Sequence, residues 1–204
     1  MVQDVKQPQN IALAGSNIKD QVDLDLRTKV SRYISYLLRH NPEDLEMDKY
    51  GFVDLDELHK KLRQRFHIDK RLIFEIAEES KRKRFEIIEN QIRALYGHTI
   101  HIEQEQVEEN AIKVLYHGTT HDSAMKILRE GLKPMRRTWV HLSPTVEVAR
   151  EVGLRRTRNP TILAIDVEVA RKEGTIFYKA TDKVYLCGPL LPKYIRNNRT
   201  LQTH

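Results

Sequence analysis

The sequence of 204 residues is short of cysteine: Cys187 stands alone. One thiol excludes an intramolecular disulfide and a zinc site built from cysteines. It suits a reducing compartment, so a cytoplasmic location is expected. Long apolar runs are also missing. No stretch reaches the ~20 residues that cross a bilayer. The first twenty residues carry Asp4, Lys6 and Asp20 and lack a continuous apolar core. Neither a membrane span nor a secretory signal is expected. The chain has no G-x-G-x-x-G turn and no P-loop, which argues against a Rossmann or Walker nucleotide site. It has no G-x-S-x-G elbow, and Cys187 lies between Leu186 and Gly188. Nucleophilic catalysis by the protein itself is therefore not expected. His98 and His101 are too close to converge from opposite strand faces, and no carboxylate cluster accompanies them. No metal site is expected.

What is present is charge. Charged residues make up 31% of the chain and the net charge is +6, with a sequence pI of about 9.3. A basic balance favours an anionic partner such as nucleic acid, nucleotide or membrane surface, without choosing among them.

Periodicity divides the chain into two halves. Residues 1–21 are polar and mixed and read as a loosely held arm. From there to residue 100 the order is helix, helix, helix, strand, strand. Leu26, Val30, Tyr33, Ile34, Leu37 and Leu38 recur at helical spacing, and Asn41-Pro42 stops that helix. Gly51 to Val53 reads as a short strand. Asp54 and Glu57 have capping-box spacing before a second helix, and Asp69 caps a third. Phe85, Ile87, Ile92 and Ala94 suggest two strands around a Glu89–Asn90 turn. Three helices closed by a hairpin resemble a winged-helix domain. The glutamate-rich stretch 101–110 reads as a linker. Residues 111–204 change character. "VLYHGTT" and "WVHLSPT" read as strands, "HDSAMKILREGL" as a helix ended by Gly131, and "TVEVAREVG" as a further helix. "TILAIDVEV" reads as a buried strand, and "TIFYKA" with "KVYLCG" as a hairpin. The fold class is α+β.

Several constellations have a functional and a plain reading. Arg39 and His40 in "LLRHNP" end a helix, where cations also simply complement the dipole. Arg82, Lys83 and Arg84 precede a strand, where they either face solvent or touch phosphate. Strand alternation would point Arg82 and Arg84 together and Lys83 away. In "YHGTT", small residues after a strand let a ligand approach the backbone, and Thr119 offers a hydroxyl. In "WVHLSP", His141 and Ser143 share a face of one strand. An inventory rich in arginine suits the binding of a phosphate, because the planar guanidinium meets two oxygens at once.

In order along the chain, "SYLLRHNP", "GFVDLDEL", "KRFEI", "IRALYGHT", "LYHGTT", "ILREGLKPM", "WVHLSP", "AREVGLRR" and "VYLCGPLLPKYI" resemble the RNA 2′-phosphotransferase family, the tRNA 2′-phosphotransferases of the KptA type. The resemblance spans roughly Leu26 to Ile195. It implies an N-terminal winged-helix lobe for RNA joined to a C-terminal lobe with the ADP-ribosyltransferase fold. It implies NAD as a consumed co-substrate, no metal, and an RNA partner bearing a 2′-phosphate, tRNA above all. A single chain suffices. The implied reaction has two steps. The RNA 2′-phosphate attacks C1″ of the nicotinamide ribose and expels nicotinamide. The 2″-hydroxyl then attacks phosphorus, releasing 2′-hydroxyl RNA and ADP-ribose 1″,2″-cyclic phosphate.

By the same resemblance the catalytic residues are Arg39, His40, Arg82, Arg84 and Arg137, with Arg136 adjacent to the last as an alternative. NAD would meet His117, Gly118 and Thr119, together with His141 and Ser143. His40 would orient the phosphate or protonate the departing 2′-oxygen. Two positions depart from the family pattern: "QGHS" is "YGHT" here, and "HVHLS" is "WVHLS". Thr99 keeps the hydroxyl, and Trp139 could stack on a base or nicotinamide ring. The other readings are a nucleic-acid ADP-ribosyltransferase without the second step, and a winged-helix binder without catalysis.

Overall fold

A computed structural model describes residues 12–78, 83–103 and 111–198 of the protein. The first helix, α1, runs Ala12–Arg39, so helical backbone begins within the stretch expected as an arm. Its buried residues Val30, Ile34, Leu37 and Leu38 follow the helical spacing of the sequence. A two-residue strand, β1 (Val53–Asp54), leads into α2 (Leu55–Arg63). The Asp54 side chain accepts from the backbone N–H of Asp56 and Glu57, satisfying two donors that every helix start leaves open. The Asp69 side chain takes the Arg71 N–H at 2.8 Å before α3 (Arg71–Glu78). Then β2 (Phe85–Ile88) and β3 (Gln91–Ala94) turn at Glu89, whose φ is 53°. The antiparallel order is β1-β3-β2. The amide of Asn90 reaches Asp54 and Asp56, which ties the hairpin tip to the start of α2. These elements close one apolar core, from Val30 to Ala94.

A second core runs from Leu115 to Ile195. Around it lie β4 (Val114–Thr119), α4 (His121–Glu130), β5 (Val140–Leu142), α5 (Val146–Gly153), β6 (Thr161–Asp166), α6 (Val167–Lys172), β7 (Phe177–Thr181), β8 (Val184–Cys187) and β9 (Ile195–Asn197). Two antiparallel sheets form, β4-β6-β9 and β5-β8-β7. They touch at one ladder step, where Tyr116 and Ser143 exchange both backbone hydrogen bonds at 2.8 Å. The β7–β8 hairpin forms as the sequence suggests, with an irregularity between Lys179 and Thr181. Gly131 ends α4 at φ 85°, and a Cβ there would sit 2.3 Å from the Leu190 carbonyl oxygen. Glycine is needed for conformation and for space.

Two sequence expectations are corrected. "TILAIDVEV" is not one strand. It changes at Asp166, whose side chain accepts from Val169 N–H at 3.0 Å and caps α6. Val167 and Ala170, three apart, are the buried face of that helix. The extended backbone expected through Lys83 and Arg84 is also not found. Strand β2 begins only at Phe85, and Lys83 has a left-handed φ of 32°. Period-2 facing requires extended backbone. Arg82 itself lies outside the described residues.

Candidate active site

The end of α1 carries the first part of the site. Helix termini leave carbonyls without partners. Here the chain after β3 folds back over that end. Gly97 makes the turn at φ 92°, and Thr99 N–H donates to the Arg39 carbonyl at 2.9 Å. The Arg39 guanidinium lies 5.1 Å from the centre of the Tyr96 ring and 5.6 Å from that of Phe85. Arg84 approaches the same Phe85 ring at 5.6 Å. Burial lowers the Arg39 pKa to about 10; the Tyr96 hydroxyl acts against this, while Arg84 and Arg137 push the same way. Arg39 is still cationic at neutral pH. Its Nε and Nη2 are buried without a hydrogen-bond partner.

His40 follows, exposed, with Nδ1 3.0 Å from the Thr99 hydroxyl oxygen. Partial burial, then Arg39 and Arg137, hold its pKa below the ordinary imidazole value. His98 is only 3% exposed. Burial, followed by Arg39, pushes its pKa down to about 4.

The second part is the β4–β5 step. The reciprocal Tyr116–Ser143 bonds set His117 beside β5, with its Nδ1 3.2 Å from the His141 carbonyl oxygen. His141 Nδ1 in turn lies 2.9 Å from the Trp139 carbonyl oxygen. Burial lowers the pKa of both rings. For His141, burial and then Arg137 push it down to about 3. Both are neutral at neutral pH. Thr119 and Ser143 are buried. His141 Nε2 and Trp139 Nε1 are buried without partners. Trp139 meets Tyr178 edge-on at 5.3 Å.

The two parts meet. Thr138 N–H donates to the His98 carbonyl at 3.1 Å, and its hydroxyl donates to Ile100 O at 3.3 Å. The Tyr96 and His141 rings lie 6.1 Å apart, edge to face. Arg137 follows a turn closed by its own N–H on the Pro134 carbonyl at 3.1 Å, with Met135 at φ 59°. Burial, then Arg156, lowers the Arg137 pKa. Of the residues singled out from sequence, Arg39, His40, Arg84, Arg137, His117 and His141 thus gather in one region. Arg136 and Arg137 both have exposed side chains, and it is Arg137 that acts on Arg39, His40, His117 and His141.

Gly118 has a structural reason for being glycine. A Cβ there would lie 1.8 Å from the Ala149 carbonyl oxygen, because α5 packs directly on β4. The space on the Cβ side of Gly118 is taken by the backbone of that helix. Sequence reasoning gave no role to Arg156, which acts on both Arg137 and His117, nor to Tyr96 and His98. The signals were the last arginine of "AREVGLRR" and the "YGHT" segment. Among the described residues no group of three or more His, Cys, Asp or Glu could hold a metal ion.

The arrangement gathers cations that stay charged beside imidazoles that stay neutral, with buried donors and acceptors left open. It is suited to binding phosphate. The family description "RNA 2'-phosphotransferase, Tpt1 / KptA family" matches residues 25–188. The chain belongs to this family. Relatives named "Probable RNA 2'-phosphotransferase" include the following three. The one from Rhizobium johnstonii is 38% identical over 85% of this chain and 95% of its own length. That from Pyrococcus abyssi is 40% identical over 78% and 88%. That from Thermococcus kodakarensis is 38% identical over 83% and 96%. The family match takes in every candidate residue of the site, from Arg39 to Ser143, and Arg156 as well.

Proposed function

We propose that the protein is an NAD-dependent RNA 2′-phosphotransferase. It removes an RNA 2′-phosphate through an ADP-ribosylated phosphate and a transesterification. The observation that carries this reading is the convergence of Arg39, Arg84 and Arg137 on a set of buried, unpartnered polar atoms, in a chain of this family. The two apolar cores correspond, on this reading, to a winged-helix lobe for RNA and an ADP-ribosyltransferase-like lobe for NAD. The RNA is a tRNA with a 2′-phosphate, and the enzyme works as a cytoplasmic monomer. Among the described residues no helix is long and apolar enough to cross a membrane.

NAD is a co-substrate that supplies the electrophilic C1″ and the nicotinamide leaving group. The residues present fit it. His141 Nε2 and Trp139 Nε1 are open buried polar atoms beside His117, Thr119 and Ser143. An unsatisfied buried group costs about 1–3 kcal/mol, which a ligand partner relieves. Gly118 serves by letting α5 close on β4, so its part in binding is indirect.

A phosphate monoester is already mostly dianionic near neutral pH, so its attack needs no general base. It needs placement in line with the leaving group. Arg39, Arg82, Arg84 and Arg137 provide that cage, and the same guanidiniums stabilise charge on phosphorus in the second step. Arg84→Ala and Arg137→Ala should each lower RNA 2′-dephosphorylation by roughly 100-fold at saturating NAD. Undiminished turnover in either variant removes that residue from the cage.

A further inference from the structure

We propose that Thr99 is a positioning residue that fixes the tautomer of His40, keeping the proton on Nδ1 and leaving the Nε2 lone pair for the reaction. This rests on the function proposed above. Three contacts carry it. Thr99 N–H donates to the Arg39 carbonyl at 2.9 Å, which sets the residue across the end of α1. The Thr99 hydroxyl donates to that same carbonyl at 3.4 Å. The His40 Nδ1 lies 3.0 Å from the hydroxyl oxygen.

A hydroxyl has one proton to give, while a carbonyl can only accept. With the Thr99 proton directed to the Arg39 carbonyl, the hydroxyl lone pair faces His40. Nδ1 is then the donor. The 3.0 Å separation is that of an ordinary N–H···O bond. The neutral ring with its proton on Nδ1 presents a bare Nε2.

The surroundings keep the ring neutral. Arg39 acts on it from α1, and Arg137 from the turn before β5. The Tyr36 ring lies 6.4 Å away on α1, and His98, on the same segment as Thr99, is itself neutral at neutral pH. A neutral His40 cannot begin as a proton donor through Nε2. It begins as an acceptor. In the second step the bond from O2″ to phosphorus forms and the bond from phosphorus to O2′ breaks. The proton leaves O2″ for Nε2 and passes from Nε2 to O2′. One bond is made, one is broken and one proton is relayed, so the step balances without another reagent. The acid role expected from sequence becomes the second half of a relay.

The test uses the full chain with Thr99→Val, which removes the hydroxyl at nearly constant shape, and Thr99→Ser, which keeps it. In the ligand-free protein, ¹⁵N resonances of the His40 ring should report a protonated Nδ1 and a bare Nε2 in the parent and in Thr99→Ser. Thr99→Val should show a mixture of tautomers. In single turnovers with 2′-phosphorylated RNA and NAD, Thr99→Val should slow the second step by about 10-fold to 100-fold. That is less than the ~10²–10⁴-fold that proton transfer by a positioned side chain can contribute. ADP-ribosylated RNA should accumulate while the first step keeps its rate. The parent's second step should be level at neutral pH and fall on acidification through the His40 pKa, which is depressed. A proton on Nε2 in the parent, or an unaltered second step in Thr99→Val, overturns the proposal. If NAD were not consumed at all, the proposed function would fail, while the ¹⁵N spectra would still read the tautomer.

Discussion

The end of α1 and the β4–β5 step face the same site, yet they are built in opposite ways. At the end of α1 the working groups are placed by side chains, with Arg39 set against the Tyr96 and Phe85 rings. At the β4–β5 step they are placed by backbone, through the reciprocal Tyr116–Ser143 bonds. The first region keeps charge: Arg39 falls only to about 10. The second suppresses it: His141 falls to about 3, and His117 also falls. Burial acts on both, but a guanidinium starts so high that it stays protonated, and an imidazole does not. On the proposed reading this separates two anion- and cation-bearing substrates. On that reading the RNA phosphate would meet fixed positive charge, and the nicotinamide ring would meet imidazoles that add no charge of their own.

The comparison breaks most severely at Arg39. Arg39→Lys keeps the charge and loses the planar fork, with its two buried open donors. RNA 2′-dephosphorylation should fall on the order of 100-fold, with little loss of thermal stability. A lysine that works equally well would show that charge alone matters there.

A smaller effect sharpens the other side. His141 is held neutral in the folded protein down to about pH 3. The unfolded chain binds that proton near pH 6.5. Stability is therefore lost as pH falls below about 6.5, and the loss levels off only near 3. The slope from this one group is at most ~1.4 kcal/mol per pH unit. Denaturant unfolding of His141→Gln across that range should give a shallower dependence. An unchanged slope would mean that His141 titrates normally.

The smallest effect belongs to Lys83. It is exposed, at a left-handed φ, just before β2. Lys83→Ala should change activity less than 2-fold and stability by under ~0.5 kcal/mol. A loss comparable to Arg84→Ala would turn this stretch into a diffuse basic surface.

What the sequence told of this molecule was local. Asp54 as a cap, the Glu89–Asn90 turn and the apolar face of α1 each depend on neighbours a few residues away. The end of β6 was hidden because Val167 and Val169 look like strand residues, while Asp166 is a cap in a run of β-branched chain. The reason for Gly118 lay in Ala149, and the place of Arg156 depends on how α5 ends against β4. The left-handed φ of Lys83 has no marker in residue type. The site was legible as motifs through the family resemblance. Its partition into charged and neutral sides was not, because burial sets that partition, and burial belongs to the fold.

The central claim is tested most directly by incubating the protein with RNA carrying one internal 2′-phosphate, with and without NAD, and identifying the products. The account predicts no reaction without NAD. With NAD it predicts one nicotinamide, one 2′-hydroxyl RNA and one ADP-ribose 1″,2″-cyclic phosphate per phosphate removed. RNA bound with NAD left intact, or ADP-ribose remaining on the RNA as the end product, would contradict it.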